Sequence, residues 1–205
     1  TEEALHYPHT VSARRLLYFS VAPTLCYQEA FPRSPRVRIA YLISLLGRLL
    51  LLSGFIVFVC VQIIEPLLRN SADAVASYDA RRIVERLLRL ALPVTYVWIS
   101  GFYVFFHVWL NLLAELLRFG DRQFYKAWWN AVTFDEYWRL WNMPVHHWIV
   151  RHVYFPALRA GRSKTTCGIL AFTVSAVFHE VVIALPLRSV HMPIAFLAMM
   201  AQVPL

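Results

Sequence analysis

The sequence GILAFTVSAVFHEVVIALPL, residues 168–187, is a long apolar run that contains one histidine and one glutamate, His179 and Glu180. At 1.5 Å per residue, a helix of about this length crosses the roughly 30 Å hydrocarbon core of a bilayer. Ionisable side chains are costly at that depth, so they usually face the interior of a helical bundle or a water-filled cavity. The run therefore predicts a membrane-spanning helix with two polar side chains that need an explanation.

Two further stretches, residues 39–64 and 90–117, are also long and apolar enough to cross a membrane, and we place the third span at residues 167–187. The composition agrees, because 59% of the 205 residues are hydrophobic and the mean hydropathy is +0.52. A fourth apolar stretch, from residue 194, is too short to span and is expected to be truncated. We expect an all-α, multi-pass transmembrane helical bundle, of which residues 1–205 are a partial domain.

Amphipathic segments are expected at the membrane surface. Between the first two spans, residues 65–89 combine a polar stretch with apolar side chains at helical spacing, which is typical of an interfacial connector. Residues 124–148 contain five of the seven tryptophans, a residue that favours the headgroup level. Helical spacing runs through residues 134–148, and Pro144 should break or kink that helix. An ordinary aromatic belt would explain this composition too.

A polar stripe follows one face of the second predicted span. Its members are His107, Asn111, Glu115 and Arg118, at positions i, i+4, i+8 and i+11. Polar side chains inside membranes commonly hydrogen-bond to other helices. We favour this interpretation over direct contact with a substrate.

The formal charge of +8 is concentrated between Glu136 and Glu180, where no acidic residue occurs. The basic residues of this segment are Arg139, Arg151, Arg159, Arg162 and Lys164. Such a segment is typical of a cytosolic loop and of a surface that binds phosphates. Nucleic acid is a weaker interpretation, because the basic residues are tied to membrane helices. The three cysteines have no metal-ligand spacing, and we expect no metal site.

His179 lies near the middle of the third span, where burial favours a neutral imidazole that can accept a proton. Ser175, one turn earlier on the same face, could orient the ring. A zinc-peptidase helix is excluded, because Ile183 stands where the second histidine would be needed. A proton pathway would need more ionisable residues, and the first span offers only Arg48. From these residues alone, a histidine that only packs is as good an explanation as a catalytic base.

Several motifs decide between these alternatives. They are VAPTLCYQ (residues 21–28), FFHVWLNLLAELLRFGDRQFY (105–125), FYKAWWN (124–130), WNMPVHHW (141–148) and SAVFHE (175–180). In this order they resemble the acyl-CoA-dependent diacylglycerol O-acyltransferase branch of the membrane-bound O-acyltransferase superfamily, especially its plant and algal members. The resemblance implies a multi-pass enzyme of the endoplasmic reticulum membrane. It would acylate diacylglycerol to triacylglycerol inside the bilayer; the alternative is a sterol or another long-chain alcohol as acceptor.

By match to these motifs, the resemblance implies His179 as the catalytic base and Asn142 as a residue that holds the reacting groups. It further implies substrate-binding positions at Trp141, His146, Tyr154, Lys164, Ser175, Glu180 and Gln202. Of these, Glu180 matches the acidic partner of the base, and Gln202 would reach the reacting groups from the next helix. Acyl-CoA is a substrate, and no cofactor is expected. The partners implied are acyl-CoA, diacylglycerol, membrane lipids and, for the whole protein, a second copy of itself.

Acyl transfer from a thioester to an alcohol needs a base for the hydroxyl proton, a donor for the carbonyl oxygen and cations for the phosphates of CoA. We assign these roles to His179, Asn142 and Lys164. The sequence departs from the family at Ala127, where an acidic residue is usual, and in residues 186–196, where the loop carries an extra residue and Pro193.

Overall fold

A computed structural model describes residues 12–71, 74, 76–187 and 193–203. These residues form helices and loops and contain no β-strand; an isolated antiparallel bridge joins Arg33 to Phe119. The chain divides into two compact units, residues 1–23 with 29–122 and residues 24–28 with 123–205. The expected all-α architecture is confirmed.

Three helices are long and apolar enough to cross a membrane. After the short helix α1 (Ala13–Val21), they are α2 (Ile39–Arg69), α3 (Ala80–Leu116) and α6 (Lys164–Leu187). The three predicted spans fall within these helices, apart from the last residue of the second. Most of the connector expected at residues 65–89 belongs to α2 and α3, because α2 continues to Arg69 and α3 already begins at Ala80. Asp79 caps α3 by accepting a hydrogen bond from the backbone N–H of Arg82 (3.1 Å).

The first unit is built on the packing of α2 against α3. Its buried centre is formed by Leu45 of α2 with Val108 and Leu112 of α3. Each of these helices contains a π-helical segment, Cys60–Ile64 in α2 and Tyr103–Trp109 in α3. The π-helical turns of α3 include His107 of the polar stripe.

The second unit begins with a short 3-10 helix, Trp128–Asn130, followed by α4 (Phe134–Leu140). Helix α5 (residues 143–159) consists of the pieces Met143–Ile149, Val150–Tyr154 and Phe155–Arg159, of which the middle one is π-helical. The break expected at Pro144 lies between α4 and α5. Pro144 occupies the first turn of α5, where its missing N–H costs no helical hydrogen bond.

Helix α6 packs against α7 (Ile194–Met200) and against the π-helical turns of α5. Much of its apolar surface is exposed within the described chain, including Leu170, Phe178 and Val182. Apolar surface of this kind suits contact with lipid tails or with other membrane helices.

Candidate active site

The orientation of His179 is set by its own helix. Its Nδ1 lies 2.8 Å from the backbone carbonyl oxygen of Ser175. Because a carbonyl oxygen can only accept, a neutral ring must carry its hydrogen on Nδ1 and leave the lone pair of Nε2 to accept a proton. The sequence predicted that Ser175 orients the ring, and Ser175 does so through its main-chain carbonyl. A neutral ring with this tautomer can accept a proton at Nε2.

Trp138 of α4 connects His179 with Gln202. The indole meets the imidazole edge to face, with ring centroids 6.1 Å apart and planes at 83°. Its Nε1–H donates to Oε1 of Gln202 at 3.2 Å. One side chain therefore holds α4 against both α6 and the end of α7. From the sequence, Trp138 was assigned only to an aromatic belt. The available signal was that Trp138 precedes Trp141 by three residues on one helical face.

The next two candidate site residues, Trp141 and Asn142, directly follow α4 in the sequence. Trp141 stacks on Tyr137, with centroids 6.2 Å apart and planes at 5°, and meets Trp138 edge to face at 5.9 Å. Asn142 is the N-cap of α5, and its Oδ1 accepts from the backbone N–H of Val145 at 3.2 Å. The cap uses the oxygen of the amide, so its Nδ2 hydrogens, which have no acceptor among the described residues, can donate to a substrate.

Gln202 and Glu180 fix the position of α7. Nε2 of Gln202 donates to the carbonyl oxygen of Ala198 (3.1 Å), which directs its Oε1 toward Trp138. Oε2 of Glu180 accepts from the backbone N–H of Phe196 (2.9 Å), in the first turn of α7, where a carboxylate is favourable. The resemblance implied that Glu180 is the acidic partner of the base, and this stays a prediction. In the described chain its hydrogen bond goes instead to α7, the helix that brings Gln202 to the site.

His146 lies one turn after Asn142 in α5 and is half-buried. Burial lowers the pKa of His146, and the neighbouring side chains of His147, Arg139 and Lys126 lower it further, against a smaller opposite effect of Asp135. The imidazole is therefore neutral at pH 7 and can both donate and accept a hydrogen bond.

Two predicted residues lie apart from this group. Lys164 is exposed at the first position of α6, 15 residues before His179, which is about 22 Å along a helix. The ring of Tyr154 is half-buried and meets that of Phe155 edge to face at 5.8 Å. The described chain thus brings His179, Trp141 and Gln202 together around Trp138, with Asn142 next in sequence to Trp141, but not Lys164 or Tyr154.

Two residues of the predicted polar stripe, Asn111 and Glu115, make hydrogen bonds within the first unit. Glu115 is fully buried and pairs with Arg38, the residue before α2, and with Arg122. Nδ2 of Asn111 donates to the carbonyl oxygen of His107 at 2.8 Å. The Glu115 contacts agree with the structural interpretation of the stripe, whereas the Asn111 bond stays within α3 and Arg118 lies beyond the end of that helix.

The helices and the polar group on α6 define an α-helical, multi-pass membrane protein. The chain belongs to the membrane-bound O-acyltransferase family (MBOAT), whose family model matches residues 5–205. The resemblance found in the motifs is thereby confirmed.

Curated relatives are similar along nearly the whole chain. Diacylglycerol O-acyltransferase 1C of Glycine max is 51% identical over 201 residues, which is 98% of this chain and 38% of the relative. Diacylglycerol O-acyltransferase 1 of Corylus americana is 51% identical over 199 residues (97% and 36%), and that of Arabidopsis thaliana is 52% identical over 195 residues (95% and 37%). The chain thus spans less than two fifths of the length of these relatives.

Proposed function

We propose that the protein is an acyl-CoA-dependent diacylglycerol O-acyltransferase, which transfers a fatty acyl group to the free hydroxyl of diacylglycerol and forms triacylglycerol. The family and the names of the relatives support this reaction. The observation that carries it is the hydrogen bond from Nδ1 of His179 to the Ser175 carbonyl, which leaves Nε2 as a base in an apolar helix.

In the proposed reaction, Nε2 of His179 takes the proton of the diacylglycerol hydroxyl. The hydroxyl oxygen attacks the thioester carbon, the carbon–sulfur bond breaks, and the CoA thiolate leaves and recovers the proton from the imidazolium. A positioned base contributes about 10²- to 10⁴-fold to such a rate. The Nδ2 hydrogens of Asn142 donate to the carbonyl oxygen as it becomes negative, a contribution of about 10²- to 10³-fold in other acyl-transfer sites.

The remaining residues bind and position the substrates. Trp138, which is held by Gln202, packs on the imidazole, while Trp141, His146, Tyr154 and Ser175 line the path of the acyl-CoA. Lys164 binds a phosphate of CoA at the membrane surface, with Arg151, Arg159 and Arg162 as helpers. The extended phosphopantetheine arm of CoA bridges the distance of about 22 Å from Lys164 to His179. No cofactor takes part.

The apolar acceptor and product explain why the base lies in a membrane helix, because both dissolve in lipid. We assign the full-length protein to the endoplasmic reticulum membrane, as a homo-oligomer surrounded by membrane lipids. A sterol or a long-chain alcohol would use the same base and donor, so the acceptor must be identified by experiment.

The test uses full-length protein in microsomes of yeast that lack neutral-lipid synthesis, with labelled acyl-CoA and with diacylglycerol and cholesterol offered in parallel. We expect labelled triacylglycerol, and a loss of at least about 100-fold in His179→Ala at equal protein level. His152→Ala, a change at an exposed histidine of α5, is the matched control and should keep its activity.

Two results would contradict the proposal. Triacylglycerol synthesis by His179→Ala at the wild-type rate would remove the imidazole from the reaction. Formation of labelled sterol ester and no triacylglycerol would show that the acceptor is a sterol and not diacylglycerol. The role of His179 as the base would be unaffected.

A further inference from the structure

A pocket of about 310 Å³ lies in the first unit, and none of its lining residues is assigned to acyl transfer. It is lined by Ser34, Pro35, Arg36, Arg38 and Arg122. Arg38 immediately precedes α2, and Arg122 follows the end of α3. Because α2 and α3 are consecutive spans, the start of one and the end of the other lie at the same face of the membrane. The pocket therefore opens at a membrane surface.

The wall of the pocket is held by the backbone. Ser34 N–H donates to the carbonyl oxygen of Arg118 (2.8 Å), and Gly120 N–H donates to that of Pro32 (2.8 Å). Arg118 has a φ of +54°, a left-handed conformation that non-glycine residues rarely adopt. A Cβ at Gly120 would lie 2.9 Å from the Pro32 oxygen, so this close approach requires glycine. Residues 32–34 are thus fastened to the end of α3, and the pocket is preformed.

The pocket keeps an excess of positive charge. Both oxygens of Glu115 accept from Arg38, through Nε (3.2 Å) and Nη2 (2.8 Å), and Oε2 also accepts from Nη1 of Arg122. Arg122 donates to the Ser34 hydroxyl as well, at 3.1 Å. One carboxylate therefore balances one of the three lining arginines.

Free donors remain at the pocket for a ligand. Within the described residues, the guanidinium of Arg36 has no ion pair and Nη1 of Arg38 has no hydrogen bond. The preformed pocket thus offers two arginine side chains whose N–H groups are not all used by the fold.

We propose that this pocket binds a phosphate group, supplied by a phospholipid headgroup. Guanidinium groups bind phosphate through paired, charge-assisted hydrogen bonds. Arg36 and Arg38 supply these donors, while Arg122, fixed by Glu115 and Ser34, adds positive charge. Headgroup phosphates are concentrated at the membrane surface where the pocket opens. The proposal does not depend on the reaction assigned to His179.

The test measures thermal unfolding of the full-length protein in a maltoside detergent, which contains no phosphate. Dihexanoylphosphatidylglycerol is titrated as the lipid ligand, with inorganic phosphate and coenzyme A as soluble ligands in parallel. We expect the lipid to raise the unfolding midpoint of the wild type by binding to the folded state. Arg36→Gln should weaken its apparent Kd by about tenfold, the effect of losing one charge-assisted hydrogen bond.

Arg36→Gln leaves the Glu115 network intact, so the fold should survive the change. Arg81→Gln is the matched control, since it removes an exposed arginine at the opposite end of α3 and should bind like the wild type. Coenzyme A or inorganic phosphate could raise the unfolding midpoint as much as the lipid does, in a way that depends on Arg36. That result would support a phosphate site but overturn the lipid assignment. No shift in the wild type, or equal Kd values for Arg36→Gln and Arg81→Gln, would overturn the site itself.

Discussion

The tautomer of a neutral His179 ring is set by one main-chain oxygen four residues earlier in α6. Since the Ser175 carbonyl holds the Nδ1 hydrogen, the imidazole needs no acidic side chain to select its tautomer. That leaves the Glu180 carboxylate to bind the Phe196 N–H and hold α7 in place. In the described chain these two adjacent residues make separate contacts, His179 with its own helix and Glu180 with α7.

The indole N–H of Trp138 is the second group on which the position of the imidazole depends. In Trp138→Phe an aromatic ring still faces His179, but the hydrogen bond to Oε1 of Gln202 is lost. A net hydrogen bond contributes about 0.5–1.5 kcal/mol, so kcat should fall by about two- to tenfold while KM for acyl-CoA changes less. Steady-state kinetics of the full-length protein in microsomes measure both constants.

A double-mutant cycle tests whether this hydrogen bond is the cause. If it is, Gln202→Ala should lower kcat about as much as Trp138→Phe does. The double variant should then have a kcat only slightly lower than that of either single variant. Additive losses would show that the two residues act independently of each other.

The titration of His146 gives a pH prediction. Burial, together with the neighbouring His147, Arg139 and Lys126 and against a smaller effect of Asp135, lowers the pKa of His146 below its ordinary 6.5. The unfolded chain then binds this proton more readily than the folded protein. The contribution of His146 to the free energy of unfolding is complete above about pH 6.5 and is lost as the pH falls from there through the lowered pKa.

His146→Gln cannot titrate and should remove that part of the pH dependence. Unfolding midpoints of both proteins between about pH 5 and pH 8 measure the effect. Parallel pH profiles of wild type and variant would contradict a lowered pKa.

Among the helices, the boundary between α4 and α5 matters most for the site. Asn142 caps α5 with its Oδ1, and Pro144 fits the first turn behind it. The break ends α4 at the aromatic cluster around Trp138 and begins α5 with the amide that we assign to the carbonyl oxygen. A single uninterrupted helix would leave the Asn142 oxygen without the capping role that directs its Nδ2 outward.

The 3-10 helix Trp128–Asn130 lacks such a cap. Ala127 occupies its N-cap position, and no side chain accepts a hydrogen bond there. Ala127→Asp should supply this acceptor and raise the free energy of unfolding by up to about 1 kcal/mol. The change in unfolding midpoint of the purified full-length protein measures it.

Ala127→Asn is the matched control, because it can cap without adding a charge. It should stabilise the protein nearly as well as aspartate. Loss of stability in both variants would show that the surface near residue 127 is packed around the small side chain of alanine.

For the whole molecule, the stability of the first unit depends on one carboxylate. Glu115 has a side-chain exposure of 0% and joins the end of α3 to Arg38 before α2 and to Arg122. Arg122 is itself only 17% exposed, so removing its partner leaves a guanidinium charge largely buried and unpaired.

Glu115→Gln should therefore lower the free energy of unfolding by about 2–4 kcal/mol, as expected when one partner of a buried ion pair is neutralised. Denaturation of the purified full-length protein measures the loss. Glu85→Gln, at an exposed i,i+4 pair with Arg89, is the control and should cost less than about 0.5 kcal/mol. Equal losses in the two variants would show that the Glu115 network contributes no more than a surface pair.

Sequence alone predicted the helical membrane architecture, the break at Pro144, the position of His179 one turn after Ser175, and the family. These are local properties: hydrophobic length, capping and helical spacing depend on residues that are neighbours in the chain. Only the tertiary structure decided that Trp138 joins His179 to Gln202, that Glu180 binds α7, and that arginines 36, 38 and 122 line one pocket. Those contacts join residues on separate elements, or cap one element with a side chain of another. A single sequence carries no direct record of such pairings, because they arise only when the helices pack.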